Sequence, residues 1–161
     1  MECKWLPDFY YEPDWNNYSL FEESLYSFFR KLYFDNPLFF LEIIVRFRHN
    51  PKVNNKEEVF YHLTCKDYQY EGNRSPDPQR IIRIKWTRAF VENHVCYDDC
   101  CSSKPLYWKK MNGNKLRHKI FYKNFLVILE EREKYFLLIT GYYIEEEYYR
   151  RGLIKEYNKC V

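Results

Sequence analysis

Tyr135-Phe136-Leu137-Leu138-Ile139-Thr140 is the stretch that decides the architecture. Its apolar residues run on without alternation, which marks a strand buried on both faces, in the interior of a sheet. It continues into Thr140-Gly141-Tyr142-Tyr143. Three further strands read upstream, over 106–111, 116–122 and Phe125–Glu131. Asn112-Gly113-Asn114 signals a hairpin between the first two. Lys123-Asn124 is a weaker turn between the next two, and Glu131-Arg132-Glu133-Lys134 turns the third strand into the fourth. Hairpin-linked neighbours pair antiparallel. A charged helix over 145–158 closes the chain.

Working toward the N-terminus, Arg80-Ile81-Ile82-Arg83-Ile84-Lys85-Trp86 reads as a basic strand, with Ile82, Ile84 and Trp86 on one side and Arg83 and Lys85 on the other. Thr87 is the expected cap of a helix beginning near Arg88. Residues 66–78 form a long polar loop, and 59–65 a short strand carrying His62. Residues 40–47 alternate as another strand. A helix over 19–33 is expected, capped by Ser19 with Glu22 as its capping-box partner and striped by Leu20, Leu25, Phe28, Phe29 and Leu32. Residues 1–18 read as an irregular arm. The sum is α+β: an N-terminal helix, then a mostly antiparallel sheet with an inserted helix and a C-terminal helix. One domain is expected over 1–161, with an arm, helix and first strand in 1–50 and a core in 57–157.

The chain has 161 residues, 21% of them aromatic, and its 17 tyrosines exceed what one core absorbs, so some rings lie at the surface. An AT-rich genome gives a similar composition. Net charge is only +3, but 74–123 hold 12 Lys and Arg against Asp77, Glu92, Asp98 and Asp99, a local surplus of +8 that leaves −5 elsewhere. From Lys104 to Lys123 there are seven cations and no acid, a field that attracts a polyanion. No secretory leader pattern opens the chain and its apolar runs are too short to span a bilayer, so a cytoplasmic protein without membrane contact is expected.

No Gly-rich phosphate loop, nucleophile elbow or paired-histidine zinc helix occurs. A lone histidine such as His62 is ordinarily a packed one, but an imidazole can serve as general acid or base near neutral pH. Thr140 and Tyr143 close a buried strand, either as simple packing or as a rigidly placed hydroxyl and phenol. His94, Cys96, Cys100 and Cys101 are the metal alternative, with Cys65 and Cys160 isolated. No second matching cysteine pair is nearby, so reduced thiols, with no metal and no cofactor, is the expectation.

Three blocks occur in one order: Val59-Phe60-Tyr61-His62-Leu63-Thr64; Asp77-Pro78-Gln79-Arg80-Ile81-Ile82-Arg83-Ile84-Lys85-Trp86 with the helix after it; and a basic hairpin leading into Tyr135–Tyr143. Together they resemble the barnase–EndoU–colicin–RelE superfamily of ribonucleases, in particular its phage- and toxin-associated branches, over about 57–157. Gly141 stands where the family pattern has alanine. The resemblance implies a ribonuclease- or RelE-like fold and a metal-independent endoribonuclease of toxin or defence type, in which the ribose 2′-OH attacks the phosphate. His62 would move the proton, Arg80, Arg83 and Lys85 would hold and neutralise the scissile phosphate, and Thr140 and Tyr143 would orient it. Trp108, Lys109, Lys110, Lys115, Arg117 and Lys119 would track the RNA backbone. The implied partners are RNA and an acidic inhibitory protein of antitoxin or immunity type. The alternative is a non-catalytic RNA-binding or protein-interaction module on the same fold.

Overall fold

A computed structural model describes residues 2–66, 75–99 and 101–161. After a short 3-10 turn at Trp15–Asn17, the elements are α1 (Tyr18–Tyr33), β1 (Phe39–Phe40), β2 (Ile43–Arg46), α2 (Glu58–Thr64), β3 (Cys65–Lys66), β4 (Ser75–Pro76), α3 (Pro78–Ile81), α4 (Trp86–Glu92), β5 (Leu106–Asn112), β6 (Lys115–Tyr122), β7 (Phe125–Glu131), β8 (Phe136–Tyr143) and α5 (Glu147–Cys160). The architecture is α+β, built on a curled six-stranded sheet in the order β1-β2-β8-β7-β6-β5. Every neighbouring pair is antiparallel except β2 with β8. β8 therefore lies inside the sheet, as its unbroken apolar run requires. Most of the 66–78 loop falls on residues outside the described ones; its ends pair as the β3–β4 ribbon.

Two apolar layers sandwich the sheet. Leu25, Phe29 and Tyr33 of α1, Phe60 of α2, Ile81 of α3 and Phe90 of α4 cover one face. Leu153, Ile154 and Tyr157 of α5 cover the other, over Trp108, Leu126 and Ile128. Arg88 joins α1 to α4, donating to the carbonyl of Leu32 in the last turn of α1 and to those of Asn36 and Pro37 beyond it. The last carbonyls of a helix have no partner within it, so a cation there serves both charge and hydrogen bonding.

Four sequence expectations change. Of the expected 59–65 strand, all but Cys65 is helix: Val59, Phe60, Tyr61, Leu63 and Thr64 are buried and only Glu58 and His62, four apart, stay partly open. The basic strand at 80–86 is instead α3, a turn and the start of α4. Its amides bond locally, Ile81 N to Asp77 O at 3.0 Å, Ile82 N to Pro78 O at 3.0 Å and Trp86 N to Arg83 O at 2.9 Å. Asp77 caps this helix, accepting from Gln79 N at 2.9 Å, with Pro78 at its first turn. Consequently α4 starts at Trp86 and Thr87 lies inside it rather than capping it. Third, α1 begins at Tyr18, so Ser19 is inside the helix and no capping box forms; Leu20 is exposed. The 40–47 strand is broken by a tight turn at Leu41 and Glu42, both at positive φ, into β1 and β2. Among the described residues no helix is long and apolar enough to cross a membrane.

Candidate functional site

Asp77 and its cap set the position of Arg80, one turn later. Arg80 Nη1 donates to the carbonyl of His62 at 2.9 Å, its guanidinium lies 5.1 Å from the Tyr142 ring, and its Nε faces Asp77 Oδ2 at 3.3 Å. Arg83 follows in the turn. Its Nη1 donates to Gln79 O at 3.0 Å and Gln79 Oε1 at 2.6 Å. Its guanidinium packs 4.0 Å from the Tyr143 ring, 5.0 Å from Phe9 and 5.2 Å from Trp86. Only 8% of Arg83 is exposed, and burial pulls its pKa below the usual arginine value. The Arg83 Nε is buried without a hydrogen-bond acceptor among the described residues, whereas the Arg80 Nε is buried against the Asp77 carboxylate alone. An unpaired buried donor costs roughly 1–3 kcal/mol, more in a cation, so the one at Arg83 needs an explanation.

Arg80 opens onto a cleft of about 270 Å³ at the end of β8. Lys66, Tyr142, Tyr143 and Tyr149 also line it, together with the carboxylates of Asp77, Glu145 and Glu146. The Tyr142 hydroxyl donates to that of Tyr149 at 3.1 Å, and burial pushes the Tyr142 phenol well above its ordinary pKa. His62, on α2, is not among the residues lining this cleft and meets Arg80 through its backbone carbonyl. Its Nε2 lies 3.2 Å from Glu58 Oε1. Burial lowers its pKa, the Glu58 carboxylate pulls it back up, and Arg48 and Arg80 press it down again. Glu58 was not singled out in the sequence; its i,i+4 spacing from His62 becomes a signal once 58–64 is recognised as helix.

The expected set therefore separates. Arg80 meets the His62 carbonyl and Arg83 packs on the Tyr143 ring, but of these four only Arg80 and Tyr143 line the cleft. Thr140 does not join Tyr143: Thr140 pairs with Ile128 and Tyr143 with Phe125, and cross-strand partners share a face. Ile128 belongs to the layer under α5 and Phe125 to the layer under α1–α4. Lys85 points to α1, with Nζ 5.9 Å from the Phe28 ring.

The basic hairpin is largely neutralised from within. Lys110 and Lys119 reach Glu156 of α5 at 2.8 and 2.9 Å, and the buried Trp108 donates its Nε1 to the same carboxylate at 2.8 Å. These contacts hold Glu156 down at about 2 despite its partial burial. Arg117 and Arg132 share Glu130 at 3.1 and 2.7 Å. Lys109 and Lys115 stay exposed. On the opposite face, Tyr107, His118 and Glu131 form a hydrogen-bonded chain, 2.7 Å to Nδ1 and 2.8 Å from Nε2. His118 is 2% exposed, so this chain holds the sheet rather than meeting a solute.

The thiols regroup as well. His94 packs its ring 4.8 Å from Phe40 and 4.8 Å from Tyr107, and Cys100 lies outside the described residues. Cys3 of the N-terminal arm takes their place beside Cys96 and Cys101, the three sulfurs lying within 4.8 Å of one another. A backbone donor at Asp98 lowers the Cys96 pKa, while burial and its two thiol neighbours push Cys101 up to about 12.

Fold and cleft together define an α+β protein with an arginine–tyrosine cleft at the end of its interior strand. No protein-family model matches the chain, nor does any curated protein or solved structure.

Proposed function

We propose that the protein is an endoribonuclease of toxin or defence type that cleaves RNA by attack of the ribose 2′-OH, without a metal ion, with the scissile phosphate at Arg80. The observation that carries this reading is Arg80, held on Asp77 with its guanidinium by the Tyr142 ring and opening onto a tyrosine-lined cleft, with the buried Arg83 Nε, which has no acceptor, one turn further on. A phosphate oxygen is an acceptor that suits such donors, and tyrosine rings stack on unpaired bases. His62 adjoins Arg80 through its carbonyl, and its lowered pKa leaves the imidazole neutral near pH 7, ready to accept the 2′-OH proton. Arg80 offsets the charge that develops on the phosphorane oxygens. Arg83 backs Tyr143, and Lys109 and Lys115 attract the RNA strand. In the cytoplasm of its own cell such an enzyme needs restraint, and an acidic inhibitory protein fits that task.

A non-catalytic RNA-binding or protein-interaction role is the second reading. Lys85 and Thr140 lie off the cleft, and Asp77, Glu145 and Glu146 temper its charge, which favours it. Total RNA incubated with the protein, Mg²⁺ omitted and EDTA present, separates the two. The expected result is cleavage leaving 2′,3′-cyclic phosphate ends. His62→Ala should slow it by roughly 10²–10⁴-fold, and Arg80→Ala should lower turnover more than RNA retention. RNA bound but left intact favours the second reading. Cleavage by His62→Ala at the wild-type rate removes the role given to that histidine.

A further inference from the structure

We propose that Cys3, Cys96 and Cys101 form a site for one thiolate-binding divalent cation of the zinc class, which ties the N-terminal arm to the loop between α4 and β5. The site is independent of the ribonuclease reading, and none of the three residues lines the cleft.

The geometry is the first argument. The Cys96 and Cys101 sulfurs are 3.6 Å apart, and all three sulfurs lie within 4.8 Å of one another. Zinc–sulfur bonds of about 2.3 Å in a tetrahedron set sulfur–sulfur edges of about 3.8 Å, so the triangle needs only a small contraction. Four residues separate Cys96 from Cys101, within the usual span for paired zinc ligands, and Cys3 arrives from a distant part of the chain. Zinc selects thiolate sets of this kind, whereas magnesium and calcium take oxygen ligands. No further His, Cys, Asp or Glu among the described residues joins the group, so three protein thiolates make up the assigned part of the shell.

The surroundings are the second argument. Thiolates bound to a metal are characteristically surrounded by hydrogen-bond donors. Trp5 Nε1 is buried with no conventional acceptor and lies by the Cys96 sulfur, which also meets the backbone N–H of Asp98. The Tyr122 hydroxyl, 3.1 Å from Cys3 N, lies by the Cys3 sulfur. Donors thus reach sulfur from the arm, the loop and β6, while the Cys3 and Cys101 thiols in turn donate to Ser103 O at 3.6 Å and Glu2 O at 3.9 Å. Loading the site exchanges thiol protons for the cation, since the ligands bind as thiolates.

The arm is what the site would hold. Trp5 packs on Phe90 and Tyr122 at 5.7 and 5.8 Å, and Phe9 stacks on Trp86 at 5.7 Å. An irregular segment of this kind has few backbone bonds of its own, Tyr10 N to Ile82 O at 2.7 Å being one. A metal bond at Cys3 anchors it at its first residues.

The test is elemental analysis of the full chain purified under reducing conditions without chelator, followed by titration with Co²⁺ alone. The expected result is one zinc per chain and, with cobalt, a saturable thiolate-to-metal charge-transfer band. Cys3→Ser and Cys101→Ser should lose the zinc, while Cys160→Ser, at an exposed position, retains it. Cys3→His keeps a ligand and should bind cobalt with the band weakened by about one third, a result that does not depend on Cys3→Ser folding. Wild-type protein without zinc and without a cobalt band overturns the proposal. So does a Cys96–Cys101 disulfide found by mapping the protein without reductant in place of the metal, or an unchanged band in Cys3→His. None of these readouts uses RNA cleavage, so failure here leaves the proposed activity standing.

Discussion

Alanine at Gly141 tests how α4 lies on the sheet. A Cβ built at Gly141 falls 2.1 Å from Thr87 Oγ1, 3.2 Å from Thr87 Cβ and 3.3 Å from Thr87 Cγ2. Gly141 is not among the residues at positive φ, so the backbone itself accepts alanine. The loss of chain freedom in the unfolded state would then stabilise the variant by about 0.4–1 kcal/mol. The contact opposes this. Thr87 is 1% exposed, and its helix is held through Tyr33, whose hydroxyl donates to Ile84 O at 2.6 Å and accepts from Arg88 N at 3.1 Å. Thr87 therefore has nowhere to retreat without moving α4, and overpacking of this kind costs roughly 1–3 kcal/mol. The contact wins, for a net loss of about 1–2 kcal/mol and a fall in Tm of about 2–8 °C. Thermal unfolding followed by circular dichroism measures it. Thr87→Ala removes Oγ1 and Cγ2, so it should be milder in the Gly141→Ala background than in the wild type, with a coupling energy of about 1 kcal/mol. A rise in Tm for Gly141→Ala, or simple additivity of the two changes, refutes the reasoning. Glycine at this point is thus explained by the close packing of α4 on β8.

Acidification should lower Tm in two separate windows. His62, His94 and His118 all have pKa values depressed by burial below their unfolded value near 6.5, so the unfolded chain binds more protons and stability falls as pH drops through and below that value. Glu57, Glu130 and Glu156 are held below the ordinary carboxylate value, and their contribution is lost only below about pH 4.5. A Tm that is flat from pH 7 to 5.5 would contradict the first window. On the hairpin, Lys109→Glu with Lys115→Glu should weaken RNA retention and flatten its salt dependence while leaving Tm nearly unchanged, since both are exposed. Lys110→Glu sets a like charge against Glu156 and should lower Tm as well; equal Tm values for the two variants would show that the Glu156 cluster carries no stability.

The last third of the chain was legible because its strands announce themselves locally. Asn112-Gly113-Asn114 supplies Gly113 at a φ of 64°, and Lys123-Asn124 takes the two left-handed positions its turn needs. The run 135–140 could only be interior, and β8 lies between β2 and β7. The stretches carrying the site were misjudged for two physical reasons. Residues 59–64 are buried on nearly all sides and show no polar face to reveal a helical period, whereas in 80–86 the alternation of Arg83 and Lys85 with Ile82, Ile84 and Trp86 looks like a strand although the segment folds as the end of α3, a turn and the start of α4. Asp77-Pro78 was the available signal, a side-chain cap followed by a residue suited to a first helical turn. Residue types, the hairpin ladder and the local surplus of positive charge were therefore determined by the sequence alone. Which charges stay available was decided by tertiary structure, because Glu156 on α5 and Glu130 on β7 meet the hairpin cations only after the sheet and helix assemble. The meeting of Arg80 with His62 and Tyr142, and of Cys3 with Cys96 and Cys101, belongs to the same class. Contacts between residues far apart in the chain depend on how elements pack, and no local pattern encodes that.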